Sequence, residues 1–174
     1  MDKYTYWLAN VRGLGTAARE QLLETFGTGA AVYEAAEKKL AAALDKNRLE
    51  KLLRTRKNWD VDREYARLSE KQISFVCTAD AEYPERLRHI PDHPFGIYYK
   101  GRLPQPRKLA VAVVGARECS EYGHFVAAQL GRELGAAGVQ VISGMAMGLD
   151  GISQLAELDA EGESYAVLGN GVDI

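Results

Sequence analysis

Three glycine turns hold the residues of this sequence best suited to chemistry. The first is Gly115-Ala116-Arg117-Glu118-Cys119-Ser120-Glu121-Tyr122-Gly123, which follows an apolar run and leads into a helical pattern. It offers a close backbone approach at Gly115, a guanidinium at Arg117, a hydroxyl at Ser120 and the free amides of a helix start. Oriented N–H groups, a helix dipole and a forked cation together suit an anion, phosphate above all. The competing reading is a packing turn, in which glycine lets strand and helix close up and Arg117 is a surface charge. The second turn, Ser143-Gly144-Met145-Ala146-Met147-Gly148-Leu149-Asp150, is built of small residues that admit a second backbone. Asp150 is expected to cap the helix that follows, and Met145 and Met147 to pack. The third turn is Gly169-Asn170-Gly171.

The spacing excludes more than it affirms. None of the turns reads G-x-G-x-x-G or G-x-x-x-x-G-K-[ST], so a dinucleotide or P-loop site is disfavoured. No histidine lies in them, and no general base accompanies Cys119 at its helix start, so this thiol is read as a small buried residue. Cys77 and Cys119 form no C-x-x-C pair, and His89, His93 and His124 lack ligand spacing; no metal, cofactor or catalytic residue is expected.

The elements that must position these turns follow from periodicity. Residues 109–114, LAVAVV, form an unbroken apolar run, as expected of a parallel strand covered on both faces. A helix from Tyr122 to Ala136, a strand VQVIS, a helix from Asp150 to Leu158 and a strand from Tyr165 to Leu168 follow. Strand, helix, strand, helix, strand is the pattern of a doubly wound α/β sheet, whose ligands sit beyond the carboxyl ends of the strands. All three turns fall there.

Upstream, residues 1–68 read as a helical domain rich in Ala, Leu, Lys and Glu. Helices are expected over Tyr6 to Val11 and Thr16 to Phe26, with Thr16 as N-cap and Gly27 just past the helix end. Leu22, Leu23, Phe26, Val32, Tyr33, Leu40 and Leu44 supply a small core. Gly13-Leu14-Gly15 between two helices is either a tight packing turn or a helix-hairpin-helix whose amides approach a DNA phosphate. Lys46, Arg48, Lys51, Arg54, Arg56 and Lys57 form a basic run that either guides DNA or is a solvated face. Residues 69–108, with short strands at Ile73 to Val76 and Phe95 to Tyr99 and prolines between, read as a connecting segment. Residues 109–174 are then an incomplete α/β domain.

Composition sets the bounds. The chain has 174 residues and 47% hydrophobic residues, ordinary for a globular protein. No apolar stretch approaches a membrane span and the N-terminus lacks the pattern of a signal peptide, so a cytoplasmic protein without membrane association is expected. The net charge of −2 and pI near 6.0 count against a broad electrostatic attraction to nucleic acid; binding must come from a local patch or oriented amides.

Taken together and in order, VAVVGARECSEYG, SGMAMGLD and YAVLGNGVD resemble the signatures of the DprA/Smf family of DNA-processing proteins. YPERLRHIPDHPFGIYYKG and the N-terminal WLANVRGLG…LLETFG are similar to that family as well, so the likeness covers nearly the whole chain. It implies a partial Rossmann-like doubly wound parallel sheet preceded by a small all-helical, SAM-like domain. It also implies a non-catalytic binder of single-stranded DNA that loads RecA recombinase onto incoming DNA in natural transformation and is a homodimer at full length. Carried over by position, Gly115, Arg117, Ser120, Tyr122 and Gly123 match the phosphate-binding turn, Ser143, Gly144, Gly148 and Asp150 the second signature, and Gly169 and Gly171 the third.

Departures from the family pattern are specific. Gln154 stands where the family usually has a histidine, and Glu118 and Glu121 put negative charge beside the phosphate turn. The chain stops at Ile174 inside the third signature, and is read as truncated. Three strands covered on one side would then expose apolar surface. The competing classes are a nucleotide-binding or nucleotide-cleaving enzyme of the related Rossmann-like superfamily, whose P-G-G-x-G-T…E string is missing from this sequence, and a fragment acting only through its helical domain.

Overall fold

A computed structural model describes residues 2–174. The chain divides into two compact units, the first running to Gly101 and the second beginning at Arg102.

The first unit is built from short helices with well-defined starts: α1 (Lys3–Ala9), α2 (Thr16–Phe26), α3 (Gly29–Glu34), α4 (Glu37–Ala43), α5 (Lys46–Asn58) and α6 (Val61–Glu70). Asp2, Thr28, Asp45 and Asp60 cap α1, α3, α5 and α6 by accepting backbone N–H groups of the first turn, which satisfies donors that the helix leaves open. Thr16 does not cap α2 as expected. Gly15 occupies the cap position, and the Thr16 hydroxyl instead donates to the His93 carbonyl at 3.0 Å. Gly27 ends α2 with φ +86°, as its place in the sequence predicts.

The apolar faces of these helices meet in a core of Trp7, Leu8, Val11, Leu14, Leu22, Val32, Leu40 and Leu52. Burying such stripes, rather than helix propensity, holds helices this short. Residues 69–101 are part of the same unit. The strands β1 (Ser74–Cys77) and β2 (Gly96–Tyr99), with the short α7 (Glu85–Arg88) between them, form an antiparallel pair with Ser74 opposite Tyr99. Phe75 and Cys77 of β1, with Phe95 just before β2, enter the helical core. Within the basic run, Arg56 is structural: its Nη1 donates to the Tyr33 and Ala35 carbonyls, both at 2.9 Å, where α3 ends.

The second unit alternates β3 (Ala110–Ala112), α8 (Glu121–Ala136), β4 (Gln140–Ser143), α9 (Leu149–Asp159) and β5 (Ser164–Ala166). The strands are parallel in the order β3-β4-β5, with Val111 beside Val141 and Ile142 beside Tyr165. With strands added in sequence order, right-handed crossovers place both helices on one face of the sheet. There α8 and α9 pack along small residues: Ala127, Gly131 and Gly135 are buried on α8. A Cβ on Gly131 would stand 2.2 Å from the Ser153 carbonyl oxygen, so only glycine lets the two backbones approach this closely.

Helices on one face explain a departure from expectation. Of LAVAVV only Ala110–Ala112 is strand, and Leu109, Val111 and Val114 are exposed rather than covered on both sides. Among the described residues no helix is long and apolar enough to cross a membrane.

Candidate functional site

The carboxyl end of β3 leads directly into the first glycine turn, and that of β4 into the second. The two turns are laced together by backbone and side-chain bonds. The Asp150 carboxylate accepts the Gly115 N–H through one oxygen and the Gly144 N–H through the other, each at 3.1 Å. Leu149 adds a backbone bond, its N–H donating to the Ala116 carbonyl at 3.2 Å, and its side chain lies under Gly115 and Gly123. Gly148 completes the contact. Its φ of +84° is left-handed, and a Cβ there would stand 2.3 Å from the Ala116 carbonyl oxygen and 2.4 Å from that of Arg117, so the position has room only for glycine.

Asp150 therefore has a different task from the one its sequence position suggests. Gly148 is the N-cap of α9 and Asp150 lies inside the first turn, its side chain reaching away from its own helix. The residue is only 7% exposed. Burial alone would raise its carboxyl, but the Gly115 N–H, the Ser143 hydroxyl and the N–H groups of Gly144 and Ala146 outweigh burial and hold it below the usual carboxylate range, because hydrogen-bond donors favour the ionised form.

This arrangement sorts the anticipated site residues. Gly115 and Gly144 spend their amides on Asp150. Ser120 caps α8, its Oγ accepting the Gly123 N–H at 3.2 Å, so hydroxyl and amide satisfy one another. Ser143, nearly buried, donates its hydroxyl to the Val113 carbonyl at 2.5 Å and ties the ends of β3 and β4. What remains open lies at the start of α8. The Arg117 side chain is exposed, and it has no partner among the described residues. The Glu121 and Tyr122 amides, at the first two positions of the helix, likewise donate to nothing. An exposed guanidinium and open amides are groups of the kind that bind anions, and the positive end of a 16-residue helix favours negative charge at those amides.

The third turn is near by topology rather than by bonding. The Val167 N–H donates to the Ser143 carbonyl at 2.8 Å, which continues the sheet to the level of the second turn. Gly169 has nothing within 4 Å of its would-be Cβ, and the Gly171 carbonyl accepts the Ile174 N–H at 3.3 Å. Neither glycine is among the backbone donors at 3.1 Å to the Asp150 carboxylate, which are Gly115 and Gly144.

Other expectations change in detail. Met145 and Met147 do not pack: they are 59% and 80% exposed. Met145 itself is left-handed, with φ +54°, which turns the segment outward. Cys119 is half-buried rather than buried. Gln154, which departs from the histidine usual in the resembled family, is buried and donates to the Tyr165 carbonyl at 3.0 Å, holding α9 to β5. Sequence reasoning missed two residues. Leu149 is an ordinary apolar position whose role depends on the crossing of two turns. Glu157 is a carboxyl group fully buried under the sheet, accepting the Val141 N–H at 3.0 Å. Among the described residues no cluster of histidine, cysteine, aspartate or glutamate could hold a metal.

Comparison with known proteins points to one family. The profile of the DNA recombination-mediator protein A family matches residues 74–174. The chain is 29% identical over 185 aligned positions to Protein Smf of Synechocystis sp., covering 99% of this chain and 46% of that protein. It is 38% identical over 99 positions to Protein Smf of Escherichia coli, covering 56% of this chain and 26% of that protein. Against DNA processing protein DprA of Streptococcus pneumoniae it is 37% identical over 109 positions, covering 60% of this chain and 36% of that protein. The crystal structure of DNA processing protein A (DprA) from Streptococcus pneumoniae superposes on all of the chain with a TM-score of 0.75 at 26% identity, and 60% of that chain is covered. The present chain thus spans about half the length of the relatives it matches, or less. The match over both glycine turns and the likeness of the whole fold agree: the chain belongs to the DNA recombination-mediator protein A family.

Proposed function

We propose that the second unit binds the sugar–phosphate backbone of single-stranded DNA at the start of α8, and that the protein acts without catalysis to load a RecA recombinase onto that strand during natural transformation. In this reading it works in the cytoplasm, and at full length as a homodimer. The observation that carries the reading is the exposed, unpaired Arg117 beside the open Glu121 and Tyr122 amides. Contacts of this kind hold a strand without reading its sequence. The anion site is local, which suits a chain whose net charge of −2 gives no broad attraction to nucleic acid. Asp150 positions the two turns and does not touch the strand.

The test is a salt titration of binding to a fluorescently labelled oligothymidine by anisotropy, with duplex of equal length as control. Arg117→Ala removes a charge-assisted contact worth about 1.5–3 kcal/mol, so affinity for the single strand falls about 10- to 100-fold. The slope of log K against log salt becomes shallower by about 0.7 for each phosphate contact removed. An Arg117→Ala variant that binds like the original, with an unchanged slope, would refute the assignment.

A further inference from the structure

Helix α8 carries two opposed faces. Ala127, Gly131 and Gly135 form its buried seam against α9. At 100° per residue, Tyr122 and Phe125 lie about 180° and about 120° around the helix from the middle of that seam. Both point away from the unit, 78% and 60% exposed. They are three residues apart and so share one side of the helix, with about 4.5 Å of axial rise between them.

Their place on the helix is as informative as their exposure. Tyr122 contributes one of the two open amides beside Arg117, so the phosphate donors and the first aromatic ring belong to the same helical turn. An anion site bordered by a flat apolar surface matches the chemistry of a nucleotide unit, a phosphate beside a base. A partner helix fits less well, because it would need the apolar stripe to continue for several turns. Here the stripe turns polar after Phe125. Gln129, Arg132 and Glu133 follow on that side, all exposed, and the Gln129 amide donates to the Glu133 carboxylate at 2.8 Å.

Resting on the single-strand reading above, we infer that Tyr122 and Phe125 form a stacking platform for the bases of the strand whose phosphate lies at Arg117. Every base has a π-face, so such a platform adds affinity without sequence preference. It also supplies a term that the neighbouring Glu118 and Glu121 do not oppose, because stacking on a neutral ring does not depend on net charge.

The experiment compares the whole chain's affinity for an oligothymidine and for an abasic oligonucleotide of equal length, which keeps the phosphates and lacks the bases. The unsubstituted chain binds the oligothymidine at least tenfold more tightly. Phe125→Leu and Tyr122→Leu keep apolar bulk and remove the ring. Each weakens oligothymidine binding at least fivefold, and Phe125→Leu, which lies outside the phosphate turn, leaves abasic binding, the salt slope and the thermal midpoint unchanged. Phe125→Trp restores the preference. If both leucine variants leave the ratio of the two affinities unchanged, whether by weakening both ligands equally or neither, the platform is overturned. Equal binding of both ligands by the unsubstituted chain overturns the platform while the phosphate site stands, and binding of neither overturns both.

Discussion

Asp150→Asn tests whether one carboxylate fixes the geometry of the two turns. The side chain accepts two backbone N–H groups at 3.1 Å from a nearly buried position. Asparagine is the same size but keeps one acceptor oxygen, so either Gly115 or Gly144 would face an NH₂ group in place of its acceptor. One charge-assisted bond is lost outright, at about 1.5–3 kcal/mol, a large share of a stability of about 5–15 kcal/mol. Urea unfolding followed by far-ultraviolet circular dichroism measures the cost. Both tryptophans, Trp7 and Trp59, lie in the first unit, so tryptophan fluorescence serves as a reference for the part without the substitution. Amide exchange at Gly115 or Gly144 should also quicken at least tenfold. The pH dependence has a definite sign. The folded-state carboxyl is held below its ordinary value, so its contribution is complete above the unfolded value near about 3.9 and disappears as pH falls through the folded value. The gap between original and variant is therefore full at neutral pH and closes only in acid below that range. Equal stability and equal exchange at pH 7 would refute the role assigned to Asp150.

The seam between α8 and α9 gives a second test. Gly131→Ala gains about 1 kcal/mol of helix propensity, but its new methyl meets a main-chain oxygen at 2.2 Å that has no rotamer to retreat into. A net loss of about 2 kcal/mol or more is expected in urea unfolding, and a gain in stability would show that the helices separate freely. Glu157 titrates in the opposite sense to Asp150. Burial raises its carboxyl, so the stability it provides is present at low pH and lost as pH rises through the folded value. Glu157→Gln keeps an acceptor for the Val141 N–H and does not ionise, so its urea midpoint relative to the original increases as pH rises above the unfolded glutamate value of about 4.3; a constant difference would count against an ionising buried glutamate. Glu121→Gln removes a negative charge beside the open amides. At about 7 Å in water that charge opposes a phosphate by about 0.6 kcal/mol. The variant should bind oligothymidine about threefold more tightly at low salt and lose the advantage at high salt. A weaker-binding variant would place the phosphate elsewhere.

Much of the fold was legible because the relevant signals are local. Gly27 stands where a helix ends, and the strand-helix alternation after residue 109 announces a parallel sheet. The errors share a physical origin. Thr16 is as good a cap as any by type, but its hydroxyl bonds to His93, 77 positions along the chain. Phe75 and Phe95 flank a proline-rich stretch that reads as a connector, yet their rings complete a core begun by α1. LAVAVV specifies a strand suited to burial on both faces, but how many faces are covered is set by the crossovers around it.

The site divides along the same line. Glycine, arginine and an acidic residue in set order mark the turns, and that order is visible in one dimension. Which N–H groups remain available to a ligand is a three-dimensional property, decided by where Asp150, Ser120 and Ser143 send their oxygens. Three of the amides that make the turns look like phosphate cradles, at Gly115, Gly123 and Gly144, are already satisfied within the protein. A second carboxylate or phosphate could reach them only by displacing Asp150 or uncapping α8. In the proposed reading, recognition would then fall to Arg117 and the first two amides of α8, with the glycines framing the two turns. The motif's glycines thus serve geometry, and the proposed phosphate contact calls on its least constrained members: an exposed guanidinium and the first turn of a helix.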